Sequence, residues 1–285
     1  MLGGLAMLAA RYDGFILDQW GVLHDGVRAY PGARECVQRL RECGKRIVVL
    51  SNTGQSAARN MSLMQGMGFE PQWFERFVGA GEEARSALAQ RREPFHRALG
   101  RRCYAFTREG NRSLLEGIGL ELVGAVDEAE FLAVIGIDSP PLGVADYEAA
   151  LRGGIARGLP MVCANPDIVR VSPQGTLPAP GALARRYEEL GGSVFYHGKP
   201  YPAIYTSCLL ALSATAERVL AVGDSMQHDV AGAARAGVDC AFIAGGIHAD
   251  ALVERWGELP RRERWQAFAA QAPAVPRYLL PALVW

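Results

Sequence analysis

The sequence predicts an α/β protein organised on a doubly wound parallel sheet, with a second α/β unit inserted into the first. Three observations predict it. Short apolar runs alternate with stretches of helical spacing, the pattern of a sheet covered on both faces. Polar, chemistry-bearing residues stand at the carboxyl ends of several runs, where open α/β sheets gather their ligands. Between about Glu93 and Gly192, punctuation by Pro94 and Gly100 on one side and Gly191-Gly192 on the other encloses a separate set of strand and helix signals. The expected division is therefore a core of residues 1–95 and 193–285 with an insert of residues 96–192.

Composition narrows the function classes. The chain has 285 residues, 49% of them hydrophobic, enough for a substantial core. Thirty basic and thirty acidic residues cancel, which gives no support to a nucleic-acid or anionic-membrane partner. Lys45 and Lys199 are the only lysines, so a lysine marks a place where the planar fork of arginine does not serve. Six cysteines without a CxxC pair read as reduced, mostly buried thiols of a cytoplasmic protein. Met1 to Ala10 is apolar but lacks a basic n-region, and it is far shorter than the ~20 residues of a membrane span. It reads as a short packed helix.

Taken in order, the strand-like runs are 15–17, 47–50, 103–106, 131–137, 161–164, 194–196, 219–222 and 241–244. Cys36, Val37 and Leu40 give residues 33–43 a helical spacing, and residues 56–67 and 82–90 look similar. Within the insert lie Pro140-Pro141 and a Gly/Pro-rich run from Ser172 to Gly181. Gly79-Ala80-Gly81-Glu82-Glu83-Ala84 mimics a dinucleotide fingerprint, but it follows only a short apolar stub and is rejected as a cofactor site. The apolar end of the C-terminal segment, Tyr278 to Trp285, reads either as packing on the core or as a homodimer contact.

Four strand ends carry the groups one phosphoryl-transfer site would use. The first run ends in Asp18, then Gln19-Trp20-Gly21-Val22. The second ends in Ser51-Asn52-Thr53-Gly54, which offers hydroxyls and backbone N–H groups to a phosphate. Residues 194–196 lead into His197-Gly198-Lys199-Pro200, placing a point cation beside a turn. Residues 219–222 lead into Gly223-Asp224-Ser225, with Asp229 five residues after Asp224. Carboxylates gathered this way repel unless a cation joins them, and Mg²⁺ is the expected cofactor.

In these four segments the chain resembles the haloacid-dehalogenase superfamily phosphatases of class IIA, which carry a cap between the second and third motifs. Asn165-Pro166-Asp167 and Pro180-Gly181-Ala182-Leu183 also resemble the closing segments of such a cap. The resemblance implies a Rossmann-like core, an α/β cap and hydrolysis of a small phosphorylated metabolite. It implies Asp18 as nucleophile, and Asp18, the backbone carbonyl of Trp20, Asp224 and Asp229 around Mg²⁺. Ser51 and Lys199 would hold the phosphoryl oxygens, Asn52 and Thr53 would lie near the leaving group, and Arg170 falls where related caps touch substrate.

One position departs from the pattern. Such phosphatases usually carry a second aspartate two residues after the nucleophile, acting as general acid and then base, and here that residue is Trp20. Losing a positioned acid/base costs ~10²–10⁴-fold, whereas positioning and electrostatics, the larger contributions to phosphoryl transfer, survive. The expectation is a slow phosphatase that favours good leaving groups, or else a long-lived aspartyl-phosphate. The alternatives are a protein that binds a phosphorylated metabolite with little turnover, and a phosphotransferase. Trp20 reads as a packing residue under the cap rather than a platform on which substrate stacks, and Asp25-Gly26 as a hairpin turn that shapes a flap after the first strand. His24 is the neighbour weighed as a substitute acid.

Overall fold

The computed structural model describes residues 2–138, 143–172 and 175–285. Pro140-Pro141, and Pro173-Gln174 of the Gly/Pro-rich run, lie outside the described residues. The chain divides into two compact units, one of Met1–Ser51, Ala57–Val78 and Lys199–Trp285, the other of Asn52–Ser56 and Gly79–Gly198.

Thirteen strands are described. The first unit is centred on a six-stranded sheet of β1 (Gly14–Asp18), β2 (Arg46–Ser51), β3 (Arg76–Gly79), β11 (Val219–Gly223), β12 (Asp239–Ile243) and β13 (Tyr278–Leu280), in the order β13-β12-β11-β1-β2-β3. Every residue of β1 and β11 is buried, as expected of strands covered on both faces. Beyond β1 the chain builds outward through β2 and β3, and it later returns on the other flank as β11, so strand order reverses at β1. A crevice at the carboxyl ends follows from that reversal. Parallel register sets Asp18 beside Leu50 and Leu17 beside Val222, which brings Ser51 and Asp224 to the same end of the sheet as Asp18.

The second unit has its own parallel sheet of β4 (Arg102–Phe106), β5 (Glu121–Leu122), β6 (Phe131–Val134), β7 (Met161–Cys163) and β10 (Val194–Tyr196), ordered β10-β7-β6-β4-β5. A separate antiparallel pair, β8 (Val169–Ser172) and β9 (Gly175–Pro178), completes it. On one face Leu151 and Leu183, from the helices Glu148–Ala156 and Pro180–Glu189, pack with Leu132 and Tyr187. On the other, Ala84 and Leu88 of the helix Ala80–Gln90 pack with Leu115 and Phe131.

The eight expected strands are present, and the N-terminal apolar stretch forms the short helix Ala6–Ala9. The sequence reading missed β3, β5, the β8–β9 pair and β13, each of two to four residues. The stub before Gly79-Ala80-Gly81 is the edge strand β3. The C-terminal segment packs on the core: β13 pairs with β12, and Leu280 and Leu283 are buried in the cluster that holds Phe15 and Leu17. Among the described residues no helix is long and apolar enough to cross a membrane.

Tyr187 shows how closely the second unit is packed. Its ring lies against Gly154 and Gly192, and its hydroxyl donates to the carbonyl of Leu159 at 2.6 Å in a fully buried setting. Removing that hydroxyl leaves a buried acceptor unsatisfied, so Tyr187→Phe should lower stability by about 1–3 kcal/mol. Urea unfolding followed by circular dichroism checks this, and a change under 0.5 kcal/mol would count against it.

Candidate active site

Asp18 ends β1, and the chain turns at once. The backbone N–H of Gln19 donates to Asp18 Oδ1 at 2.8 Å, and Gly21 adopts φ +79°. A Cβ at Gly21 would overlap Asp224 Oδ2. Glycine is thus demanded there both by the backbone and by the carboxylate packed against it. A Cβ at Gly246 would strike Asp224 from another side, and the next residue, Ile247, donates its N–H to Asp224 Oδ2 at 2.6 Å. The backbone donor at Ile247 was not anticipated; its one sequence signal is the Gly245-Gly246 pair, one residue beyond the end of β12.

Asp229 belongs to the single turn Met226–Val230, in which the N–H of Val230 reaches back five residues to the carbonyl of Ser225 at 3.1 Å. Such wide turns are rare and recur at functional sites. This one folds Asp229 back so that its Oδ2 accepts from the N–H of Ser225 at 3.1 Å, while the Tyr205 hydroxyl holds its carbonyl at 3.1 Å. Lys199 joins the carboxylates, donating from Nζ to Asp18 Oδ1 at 2.6 Å and to Asp229 Oδ1 at 2.8 Å. One oxygen from each of Asp18, Asp224 and Asp229 lies within 4.8 Å of the others.

Burial decides the electrostatics. Asp18, Asp224, Asp229 and Lys199 are each no more than 8% exposed. Burial, then the Asp229 charge, holds the Asp18 carboxyl well above the usual carboxylate range despite Lys199. The same two causes push Asp224 up to about 7. Burial alone would lower the Lys199 ammonium, but Asp18 and Asp229 outweigh it and hold it raised and cationic. Three carboxylates facing one ammonium remain short of positive charge. The donors are hard oxygens, close together and dry, which suits a small divalent cation.

Ser51, at the end of β2, is 3% exposed. Asn52 and Thr53 belong to the second unit. There Asn52 Nδ2 donates to Asp167 Oδ1 at 2.8 Å, and Thr53 Oγ1 accepts from the N–H of Gln55 at 3.1 Å. Arg170 also lies in the second unit, on β8 opposite Leu177, where burial and then Arg108 lower its pKa. His197 has Nε2 3.0 Å from Nε2 of His96.

Trp20 departs from the packing role read for it, since it is 45% exposed. Its ring meets His24 edge-on at 5.1 Å and lies over Gly26, whose φ of +95° and lack of a Cβ make room for the indole. The expected turn is present: Asp25 N–H donates to the carbonyl of Arg28 at 3.2 Å, and His24 bridges antiparallel to Ala29. His24 is fully buried, accepts the Gly26 N–H on Nδ1 at 2.9 Å, and is pushed down to about 4 by burial. It stays neutral at ordinary pH and is a poor substitute acid. Gln19, also fully buried, donates from Nε2 to Asn60 Oδ1 at 3.2 Å and so ties the end of β1 to the helix Ala57–Gly66.

The chain as a whole has relatives. A profile described as haloacid dehalogenase-like hydrolase matches residues 15–121, and a second described as HAD-hydrolase-like matches residues 196–264. A haloacid dehalogenase-like hydrolase from Brucella suis superposes with a TM-score of 0.84 at 30% identity, covering 100% of both chains. The p-nitrophenyl phosphatase of Archaeoglobus fulgidus gives a TM-score of 0.74 at 25% identity over 95% of this chain and 96% of its own. Dihydroxyacetone phosphatase of Corynebacterium glutamicum is 27% identical over 85% of this chain and 84% of its own length. The chain belongs to the haloacid dehalogenase-like hydrolases, in the branch whose named relatives here are phosphatases.

Proposed function

We propose that the protein is an Mg²⁺-dependent phosphomonoesterase acting on a small phosphorylated metabolite through an aspartyl-phosphate on Asp18. The observation that carries this reading is the buried trio Asp18, Asp224 and Asp229 with Lys199 bridging two of its members. Asp18, Asp224, the backbone carbonyl of Trp20 and Asp229 would hold the cation. When bound, the cation would neutralise charge on the phosphoryl oxygens and bring them to the carboxylates.

The protein's own residues then carry the reaction. Asp18 Oδ attacks phosphorus, and its hydrogen bonds from Lys199 and from the Gln19 N–H fix which way the carboxylate faces. Lys199 and Ser51 hold the phosphoryl oxygens, and preorganised donors of this kind are the largest contribution to such transfers. Asn52, Thr53 and Arg170 are assigned to the substrate, and the inserted unit to its selection and to excluding water. The second reading, binding of a phosphorylated metabolite with little turnover, rests on one observation: an indole occupies position 20.

Phosphate release from p-nitrophenyl phosphate and a panel of metabolite phosphates, with Mg²⁺ and with EDTA, separates the two readings. Asp18→Asn should reduce metal-dependent release to background, and Ser51→Ala should lower kcat about 10²-fold. Metal-independent release, or turnover that survives Asp18→Asn, would overturn the phosphatase reading.

The pH dependence has a definite sign. A carboxyl raised to about 7 in the folded cation-free protein, against ~3.9 unfolded, keeps its proton in the folded state through that window. The cation-free protein therefore loses stability as pH rises through the window. Cation binding needs the ionised form, so the gain in Tm on adding MgCl₂ should be larger at pH 8 than at pH 5.5. Thermal melts with MgCl₂ or EDTA check this, and equal gains at the two pH values would refute it.

A further inference from the structure

We infer that the site is built for phosphate esters of planar, acidic hydroxyls, phenols or enols, whose leaving group lies against Trp20 and departs without a proton from the protein. The inference rests on the phosphatase reading above and adds a substrate class to it. Two independent observations converge on it.

The first concerns protons. In the turn after β1, position 20 is an indole, which donates one N–H and does not exchange protons in this range. His24 is fully buried: its Nδ1 accepts the N–H of Gly26, which leaves the ring proton on Nε2, buried and without a hydrogen-bond partner among the described residues. The Asp25 carboxylate is taken by the N–H groups of Val27 and Arg28, both at 2.8 Å to Oδ1. The one proton on a titratable ring of this turn, on His24 Nε2, is sealed from solvent, so no accessible side chain of the turn is left to protonate a leaving oxygen. An ester of an alkyl alcohol needs that proton, because an alkoxide is a poor leaving group, whereas a phenolate or enolate leaves as the anion.

The second concerns shape. Asp224 is packed between Gly21 and Gly246, each too close to it to carry a Cβ. Trp20 directly precedes Gly21 and is 45% exposed, with an edge on His24 and the ring over Gly26. On the Gly246 side Gly245 lies against the indole of Trp256, which is 40% exposed and stacks on Tyr30 at 5.8 Å and 9°. Two half-exposed indoles thus adjoin the two glycine segments that hold Asp224, within one unit. Flat π-faces of this kind favour a planar partner.

The chemistry balances without an acid. The Asp18 carboxylate forms a new O–P bond while the P–O bond to the aryl or enol oxygen breaks, its electron pair leaving on that oxygen. No proton moves in this step. Water then forms an O–P bond as the bond to Asp18 breaks, the pair returning to the carboxylate and both water protons ending on the released phosphate.

The test uses the full-length protein with Mg²⁺ and a leaving-group series from p-nitrophenyl through phenyl phosphate to glycerol phosphate. Wild type, Asp18→Asn, Trp20→Asp, Trp20→Ala, Trp20→Phe and Trp256→Ala are compared, each first shown folded by its thermal melt. The wild type should lose kcat/KM steeply as the leaving group becomes less acidic. Trp20→Asp should flatten that slope and raise kcat on glycerol phosphate by about 10²-fold, the lower end of what a positioned acid supplies. Trp20→Ala and Trp256→Ala should raise KM for the aryl esters about three- to tenfold, the size of one aromatic pair, with Trp20→Phe recovering most of it. A flat wild-type series, or equal losses on aryl and glycerol esters in Trp20→Ala, overturns the inference while leaving the phosphatase reading intact. Turnover unaffected by Asp18→Asn, or none on any ester, removes that reading and this one with it.

Discussion

The ion-pair network of Lys199 with Asp18 and Asp229 is the interaction on which the site depends. Buried charges of one sign are among the costliest features a fold can hold, and here two carboxylates are ordered by a single ammonium while Asp224 stands close by. The surroundings follow from that requirement. Backbone N–H groups from Gln19, Ser225 and Ile247 each reach one of the three carboxylates. Glycines at 21 and 246 let the chain approach Asp224 more closely than any side chain allows. Because the network is short of positive charge, it is poised for a cation.

The sheet explains why these groups meet. Strand order reverses at β1, so the strands beside it come from opposite ends of the unit's sequence, β2 from one and β11 from the other. Their registers deliver Ser51 and Asp224 to the end at which Asp18 emerges. The rigid element positions the acid, and the loop beyond it supplies glycine and backbone donors, a division of labour usual in α/β enzymes.

Much of this was legible in the sequence. Asp18, Ser51 and Asp224 could be placed at strand ends because apolar runs of three or four residues mark the buried parallel strands, and polar residues follow where each run stops. The short edge strands β3, β5 and β13 were not read from the sequence and became visible only through their pairing. That Lys199 touches Asp229 as well as Asp18 depends on the wide turn at Met226–Val230, which spacing does not reveal. Trp20 was misread for a related reason. A packing role implies cover over the indole, but the ring rests on Gly26 and His24 of the flap turn and 45% of the residue stays exposed.

The distances along the chain between these partners bear on how the protein is made. β1 lies beside β2, which follows within a few dozen residues, and beside β11, which begins at Val219. On the ribosome Asp18 is therefore synthesised long before its ammonium, its neighbouring carboxylates and the Ile247 N–H exist. The intervening Gly79–Gly198 stretch carries a complete sheet of its own and can gather its core while the first sheet still lacks half its strands. A nascent chain cannot assemble this chemistry until Ile247, the last of these partners in sequence, has emerged.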